Sequence, residues 1–208
     1  MCEYHYMTRA EKRQCAALAA EAFSDYAYFS VYISNDAQRK RCLKAMIQCE
    51  FLANWGKPGA VFLTARDNGR VVAVAELCAP GFRKPSDLEY IKSGWLGVLL
   101  KGGVKQAGAW LAMDRQASAP CRKVEGKNWY LSLLTVAKSD EGKGIGSKFL
   151  TECLIPYARN AGGETFSLFT NSEINRRFYE KNGFVLFDEK QFEYEGKTIG
   201  SWSYLIRL

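Results

Sequence analysis

The hydrophobic positions near the start of the chain predict two helices with an aromatic segment between them. Thr8-Arg9-Ala10-Glu11 has the spacing of a capping box, and apolar residues then recur at helical intervals to about Phe23. Ser34 or Asn35 is placed to cap a second helix with a similar pattern. The aromatic-dense residues 25–32 are therefore expected to form a loop between two helices.

The middle of the chain changes from a strand pattern to a helix pattern. Residues 60–65 and 70–77 are rich in β-formers and flank Asn68-Gly69, a strong hairpin-turn signal. Residues from about 86 to 117 predict helices, and a loop is expected around Pro120 and Cys121.

In the remaining segments of the chain, predicted strands alternate with predicted helices. Further strands are predicted at residues 4–7, 129–136, 165–170, 183–192 and 198–206, and helices from a glycine-rich turn to about residue 158 and at 174–181. Together these predicted strands and helices indicate a mixed α/β fold built on one sheet. At 208 residues we expect a single domain, residues 1–208, with a helical elaboration at about 84–125.

Composition and charge exclude several protein classes. Hydrophobic residues make up 48% and charged residues 25%, which are ordinary globular values and argue against disorder or coiled coil. The 29 Lys and Arg against 22 Asp and Glu leave a net charge of +7, which favours anionic partners: a polymer, a membrane or a small molecule. The stretch Gly94 to Met113 is interrupted by Lys101 and Lys105, so no membrane span is predicted.

The cysteines indicate a reducing compartment. They number seven, an odd count, and form no Cys-x-x-Cys pair. His5 is the only histidine, so no zinc site of known spacing is available and no metal is expected. The first eleven residues contain no apolar stretch that resembles a secretory signal. We therefore expect a cytoplasmic protein.

A glycine-spaced turn, Glu141 to Ser147, follows a strand and opens a helix. Its glycines let the backbone approach a ligand, and exposed N–H groups at the start of a helix can bind phosphate. The glycine spacing matches neither the dinucleotide fingerprint nor the P-loop. Taken alone, the turn is equally compatible with a ligand-free connection.

A second motif, Asn171 to Phe184, removes this ambiguity. It reads Asn-Ser-Glu-Ile-Asn-Arg-Arg-Phe-Tyr-Glu-Lys-Asn-Gly-Phe, and with the glycine turn it resembles the GNAT superfamily of acetyl-CoA-dependent N-acetyltransferases. Residues 22–26, 128–131 and 175–179 are also similar to the puromycin N-acetyltransferase-like branch. The implied fold is a mostly antiparallel central sheet flanked by helices, with the helical insertion before the cofactor-binding strand.

The resemblance also implies a site for acetyl-CoA. Glu141 stands where the family has Gln or Arg, and because a carboxylate repels pyrophosphate, we expect it to point away or to offer only its N–H. The implied cofactor-binding residues are Leu134, Thr135, Val136, Glu141, Gly142, Lys143, Gly144, Ile145, Gly146, Ser147, Asn175 and Tyr179.

Catalytic roles follow from the same resemblance. Tyr179 matches the tyrosine that returns a proton to the departing thiolate. Glu76 interrupts an apolar strand and could act as the base directly or through water, but a solvated carboxylate on the face of the sheet is the plainer interpretation. Tyr26, Tyr28 and Tyr32 lie in the region expected to shape the acceptor pocket, or else form a small hydrophobic cluster.

The sequence therefore predicts an enzyme that transfers an acetyl group to a primary amine, most simply that of a small molecule. A protein or peptide amine is an alternative acceptor, and a non-catalytic acyl-CoA-binding module is a second alternative. Nucleic-acid binding is not favoured, because the positive charge is dispersed and no recognition motif occurs. We expect a monomer or a homodimer.

Overall fold

A computed structural model describes residues 2–208, apart from the side chain of Ala27. Seven strands form one sheet in the order β1-β2-β3-β4-β5-β7-β6, in which only β4 and β5 are parallel. This confirms the predicted mixed α/β fold with a mostly antiparallel sheet. The strands are β1 Glu3–Tyr6, β2 Ala60–Asp67, β3 Arg70–Cys78, β4 Asn128–Val136, β5 Thr165–Thr170, β6 Val185–Tyr194 and β7 Lys197–Arg207.

Helices cover both faces of the sheet. None of those within residues 2–208 is long and apolar enough to cross a membrane. The α-helices are α1 Lys12–Ala22, α2 Ala27–Ser30, α3 Asp36–Asn54, α4 Asp87–Lys92, α5 Trp95–Gly102, α6 Val104–Arg122, α7 Ile145–Lys148, α8 Ile155–Asn160 and α9 Glu173–Lys181.

Three local expectations need correction. The aromatic segment contains one helical turn, α2, and α6 continues through Pro120 where a loop was expected. The first helix begins at Lys12 and not at Thr8: the Glu11 carboxylate accepts the Thr8 N–H at 2.8 Å, but the Thr8 hydroxyl donates to that same carboxylate. Only half of a capping box therefore forms.

The helix predicted to run to about residue 158 is interrupted before Pro156. A π-helical segment, Phe149–Leu154, lies between α7 and α8, and Pro156 occupies the first turn of α8. Because proline lacks an N–H and its ring crowds the carbonyl four residues before it, regular α-helical hydrogen bonding cannot continue across it. The wider π-helical turn accommodates the proline.

The alternation of side chains along β3 divides the core into two layers. Val74 packs with the buried face of α1 and α3, whereas Ala73 and Ala75 pack with the helical segment 145–160 on the opposite face. Helices α5 and α6 of the elaboration join the first layer through Val98 and Met113.

Strands β4 and β5 part soon after they begin. Their parallel pairing covers only Asn128 to Tyr130 against Thr165 to Ser167, although β4 continues to Val136 and β5 to Thr170. On its other side β4 pairs with β3 along most of its length, with an irregularity at Ser132. The β5-facing edge of β4 is therefore left without a strand partner beyond Tyr130.

Asn128 holds the two strands together at the start of this divergence. Its Nδ2 donates to the Cys121 carbonyl and to Ser167 Oγ, both at 2.9 Å, and its Oδ1 accepts from Thr165 Oγ1 at 3.0 Å. We expect Asn128→Ala to lower the free energy of unfolding by about 2 to 3 kcal/mol, because it removes three hydrogen bonds and leaves partly buried partners unpaired. Urea denaturation at constant m-value measures the change.

The exposed Asn160 at the end of α8 provides the control for this prediction. Asn160→Ala should change the unfolding free energy by less than about 0.5 kcal/mol. If both variants had equally small effects, Asn128 would not be a structural anchor.

Candidate functional site

The divergence of β4 and β5 opens into a cavity of about 460 Å³. Its walls come from α2, α3, the elaboration and the two strands, and they are mostly apolar and aromatic. Polar groups are few and converge from different elements, as is typical of small-molecule sites. The polar and charged residues of the lining that matter below are Tyr26, Tyr28, Glu50, Glu76, Lys84, Asp114, Arg122, Asn175 and Tyr179.

The glycine turn presents free backbone donors. Gly142 and Gly144 have φ angles of 76° and 78°, which a side chain would disfavour. Within residues 2–208, the N–H groups of residues 142–147 donate none of the turn, loop or cap hydrogen bonds. A Cβ added at Gly146 would lie 3.4 Å from Phe178 and Val136, an ordinary contact distance, so the turn packs against α9 and the end of β4.

Charges beside the turn are partly neutralised. Asp140 accepts two hydrogen bonds from Arg70, at 2.8 and 3.1 Å, and one from Lys143 at 2.8 Å. These cations hold the pKa of Asp140 well below its ordinary value. The Glu141 side chain is exposed. The Lys143 side chain is thus already paired, and its backbone N–H remains free.

A hydrogen-bonded group connects the aromatic segment to α9. The Tyr26 hydroxyl lies 2.8 Å from Thr170 Oγ1 and accepts the Asn171 N–H at 2.8 Å, and it also bonds to the Asn175 side chain. Asn175 and Tyr179, four residues apart and therefore on one face of α9, both line the cavity.

Tyr179 is held rigidly, but its hydroxyl is unengaged. Its ring packs edge-on against Phe178 and Phe184, and the residue is buried. The hydroxyl makes no hydrogen bond to any residue from 2 to 208. Burial and the nearby Tyr26 hydroxyl raise the pKa of Tyr179, so the phenol keeps its proton at neutral pH.

Glu76 is completely buried and forms a pair with Glu50. The Asn54 amide nitrogen donates to Glu76 Oε1 at 2.6 Å and to Glu50 Oε1 at 2.8 Å. Burial, and then the neighbouring Glu50, raise the pKa of Glu76 well above its ordinary value. Two carboxylates held on one nitrogen repel each other when both are ionised, so the pair retains a proton more readily than either group alone.

The second oxygen of Glu76 is available to a ligand. Glu76 Oε2 is buried and has no hydrogen-bond partner within residues 2–208. An unsatisfied buried carboxylate oxygen is costly and marks a place where a donor is expected. This burial contradicts the alternative of a solvated carboxylate on the sheet surface.

Sequence reasoning missed the charged residues that surround Glu76. Tyr28 donates to Asp114 Oδ1 at 2.7 Å, and Lys84 Nζ lies 3.9 Å from Asp114 Oδ2. Glu50 could have been found, because it interrupts the otherwise apolar pattern of α3. Lys84 and Asp114 lie in the elaboration, where no motif marks them.

Of the remaining predicted residues, only Leu134 belongs to the cavity lining described for residues 2–208. Tyr32 does not reach it: its ring packs on Tyr194, with centroids 4.6 Å apart, so it belongs to the hydrophobic cluster that was the alternative reading. Leu134 lines the cavity, while Thr135 and Val136 continue along β4 toward the glycine turn. Asn182 ties that turn to α9 by a 3.2 Å hydrogen bond to Ser147 Oγ.

Solved structures with this fold include several acetyltransferases. One, a histone acetyltransferase and related acetyltransferase from Corynebacterium glutamicum ATCC 13032, has 18% identity and a TM-score of 0.65, covering 97% of this chain and 94% of the other. The polyamine N-acetyltransferase of Drosophila melanogaster, which forms N-acetylagmatine, has 14% identity and a TM-score of 0.63, with both chains fully covered. At these identities the likeness concerns the fold.

A third structure was solved with acetyl-CoA bound. This GNAT family acetyltransferase from Elizabethkingia anophelis has 13% identity and a TM-score of 0.52, covering 100% of this chain and 98% of the other. A comparison with curated protein sequences finds no significant match. The family model for the acetyltransferase (GNAT) family matches residues 27–184, which contain both motifs and nearly all of the cavity lining. The chain therefore belongs to the GNAT acetyltransferase family, the GNAT-type acyltransferases.

Proposed function

We propose that this protein is an acetyl-CoA-dependent N-acetyltransferase that acts on the primary amine of a small molecule. The observation that carries the proposal is the arrangement of one cavity: the unpartnered Oε2 of buried Glu76 and the side chain of Tyr179 both belong to its lining. One group is suited to accept a proton and the other to donate a hydrogen bond.

The residues present fit acetyl-CoA. The free N–H groups of residues 142–147 would hold the pyrophosphate, and the open edge of β4 from Leu133 to Val136 would hold the pantetheine arm. Acetyl-CoA supplies a thioester whose carbonyl carbon forms a bond to the amine nitrogen as its bond to sulfur breaks. Asn175 would contact the arm beside Tyr26.

Glu76 is the base in this proposal. An amine arrives as an ammonium ion and must lose a proton before its nitrogen can form the new bond. Glu76 Oε2 takes that proton, and the raised pKa of Glu76 makes it a stronger base than an ordinary carboxylate. In this proposal the proton that the pair retains lies on Glu50, which leaves Glu76 Oε2 free to accept the proton of the amine.

Tyr179 stabilises the leaving sulfur. Because its pKa is raised, it is a hydrogen-bond donor more than a source of free protons. Tyr179 passes its hydroxyl proton to the departing sulfur, which completes the thiol, and the second proton lost by the nitrogen returns to the phenolic oxygen. A donor fixed in advance by aromatic packing needs little reorganisation.

The lining of the cavity supports a small acceptor over a protein lysine. Its aromatic lining and its buried carboxylates are suited to a compact amine. The likeness of residues 175–179 to the puromycin-type branch supports the same acceptor class. The seven unpaired cysteines support placing the enzyme in the cytoplasm.

Replacing Tyr179 should affect chemistry and not binding. We expect Tyr179→Phe to lower kcat about a hundredfold, because the sulfur loses its hydrogen-bond donor, while the Kd for acetyl-CoA stays within about twofold. Thiol release and a calorimetric titration measure the two quantities. Tyr157→Phe, at a hydroxyl bonded to Tyr6, is the matched control and should retain full activity. An unchanged kcat in Tyr179→Phe would remove Tyr179 from the mechanism.

Replacing Glu76 should separate activity from stability. We expect Glu76→Gln to lower kcat/KM by at least about a hundredfold, because the base is lost. Folding raises the pKa of Glu76 above its ordinary value of 4.5. As the pH rises from 4.5 through this raised pKa, ionisation of the buried carboxyl lowers the free energy of unfolding of the wild type. Glutamine cannot ionise, so the variant does not lose stability in this way. The variant's gain in Tm should thus be larger near pH 8 than near pH 4.

Thermal melts across pH, beside the activity profile, test this prediction. A variant that lost both activity and stability at every pH would show that Glu76 has a structural role only.

Glu141→Gln addresses the departure from the family pattern. Removing an exposed negative charge beside the phosphate-binding turn should tighten acetyl-CoA binding about twofold to threefold at low salt. The gain should vanish at high ionic strength because exposed charges are screened. Titrations at two salt concentrations measure it. Weaker binding at both concentrations would mean that the Glu141 side chain itself contributes a favourable contact.

A further inference from the structure

Arg122 has unused hydrogen-bond donors in the cavity lining. Its guanidinium lies over the Tyr130 ring, 5.1 Å from the centroid, and its Nε donates to Ser118 Oγ at 3.3 Å. Its two Nη groups, which could grip a carboxylate, donate no hydrogen bond within residues 2–208. Arg122 is an exposed member of the cavity lining, so these Nη groups meet solvent and are free to bind an anion.

Lys84 is a second incompletely satisfied cation in the same lining. Its only ion pair within residues 2–208 is the long one, 3.9 Å, to Asp114, and its Nζ donates no hydrogen bond there. Asp114 is meanwhile occupied by the Tyr28 hydroxyl. Burial lowers the pKa of Lys84, so a nearby anion would stabilise its charged form.

These cations lie a short way along the sheet from the base. Cys78 follows Glu76 by two residues on the same face of β3, which is about 7 Å, and Cys78 is paired with Tyr130 beneath Arg122. Arg122 and Lys84 both lower the pKa of Glu76, as nearby positive charges do. One cavity thus contains a hydrogen-bond acceptor without a partner, Glu76 Oε2, and available donors on Arg122 and Lys84.

The charges of the cavity also balance. Glu50 and Glu76 count as one negative charge when they share a proton, and Asp114 adds a second. Lys84 and Arg122 offset these two. At the rim, Asp87 and Arg115 lie 3.7 Å apart and offset each other. A neutral set of fixed charges accommodates a zwitterion, whereas a dication would leave two positive charges uncompensated.

We propose that the acceptor is a primary amine that also carries an anionic group, in the simplest case an amino acid. The amine lies at Glu76 Oε2 and the anion between Arg122 and Lys84. The proposal rests on the acetyl-transfer function argued above. Aromatic side chains in the lining, among them Tyr90, Trp95, Trp110 and Phe169, favour an acceptor with an apolar body.

Matched acceptor pairs test this proposal directly. Thiol release from acetyl-CoA is measured with phenylalanine against phenethylamine, tryptophan against tryptamine, and arginine against agmatine. In at least one pair kcat/KM should be about tenfold or more higher for the amino acid, the factor expected for one charged hydrogen-bonded contact. The phenylalanine analogue with a phosphonate in place of the carboxylate shows which anion the site prefers, and turnover of either anion above the amine supports the proposal.

Variants assign the effect to the cations. Arg122→Gln should lower kcat/KM for the preferred amino acid about tenfold, mainly by raising KM. The kcat/KM for the corresponding decarboxylated amine should stay within about threefold of the wild-type value. Arg122→Lys should restore part of the loss, and Lys84→Gln should give the same selective loss. Lys123→Gln, an exposed neighbour outside the lining, is the control and should match wild type.

These experiments distinguish a failure of the anionic-acceptor proposal from a failure of the proposed acetyl transfer. Faster turnover of every decarboxylated amine than of its amino acid, or an equal loss for both in Arg122→Gln, overturns the anionic acceptor while acetyl transfer stands. No thiol release with any amine or amino acid overturns the proposed function, and this inference with it.

Discussion

The short pairing of β4 with β5 is the constraint on which the site depends. The two parallel strands share hydrogen bonds over three residues each and then separate. Backbone groups along an unpaired strand edge must find other partners. The backbone groups on this edge of β4 face the cavity, and the strand ends at the glycine turn. A ligand with amide groups could pair with this edge as a neighbouring strand would. Asn128 fixes the point at which the separation begins.

The proposed catalysis depends on the buried carboxylates of the cavity. A fully buried glutamate costs stability unless it is paired, and Glu76 has only one bonded oxygen, shared through Asn54 with a second carboxylate. Such an arrangement weakens the fold at the pH at which the enzyme would work, which is typical of catalytic groups. Well-packed residues elsewhere in the sheet, such as Val74 and Tyr204, sustain the fold around it.

The fold was largely predictable from the sequence, and the site was predictable in part. Strand patterns and turn signals located the sheet, and two motifs located the glycine turn and Tyr179, because those features are local in sequence. The helix through Pro120 was missed because packing of α6 overrides a local breaker signal. The roles of Glu50, Lys84 and Arg122 were missed because they depend on which side chains the elaboration brings to Glu76, and no sequence spacing encodes that. Tyr32 was placed with the site because proximity in sequence to Tyr26 and Tyr28 does not fix the direction of a side chain.

The proposed reaction transfers an acetyl group from acetyl-CoA to the nitrogen of a small acceptor bound in this cavity. The most direct measurement is a single-turnover reaction with isotopically labelled acetyl-CoA, followed by mass spectrometry of both the acceptor and the intact protein. We expect the label to move to the acceptor nitrogen with release of one equivalent of free thiol, and the protein to stay unlabelled. Tight binding of acetyl-CoA with no labelled acceptor, or label that remains on the protein, would contradict it.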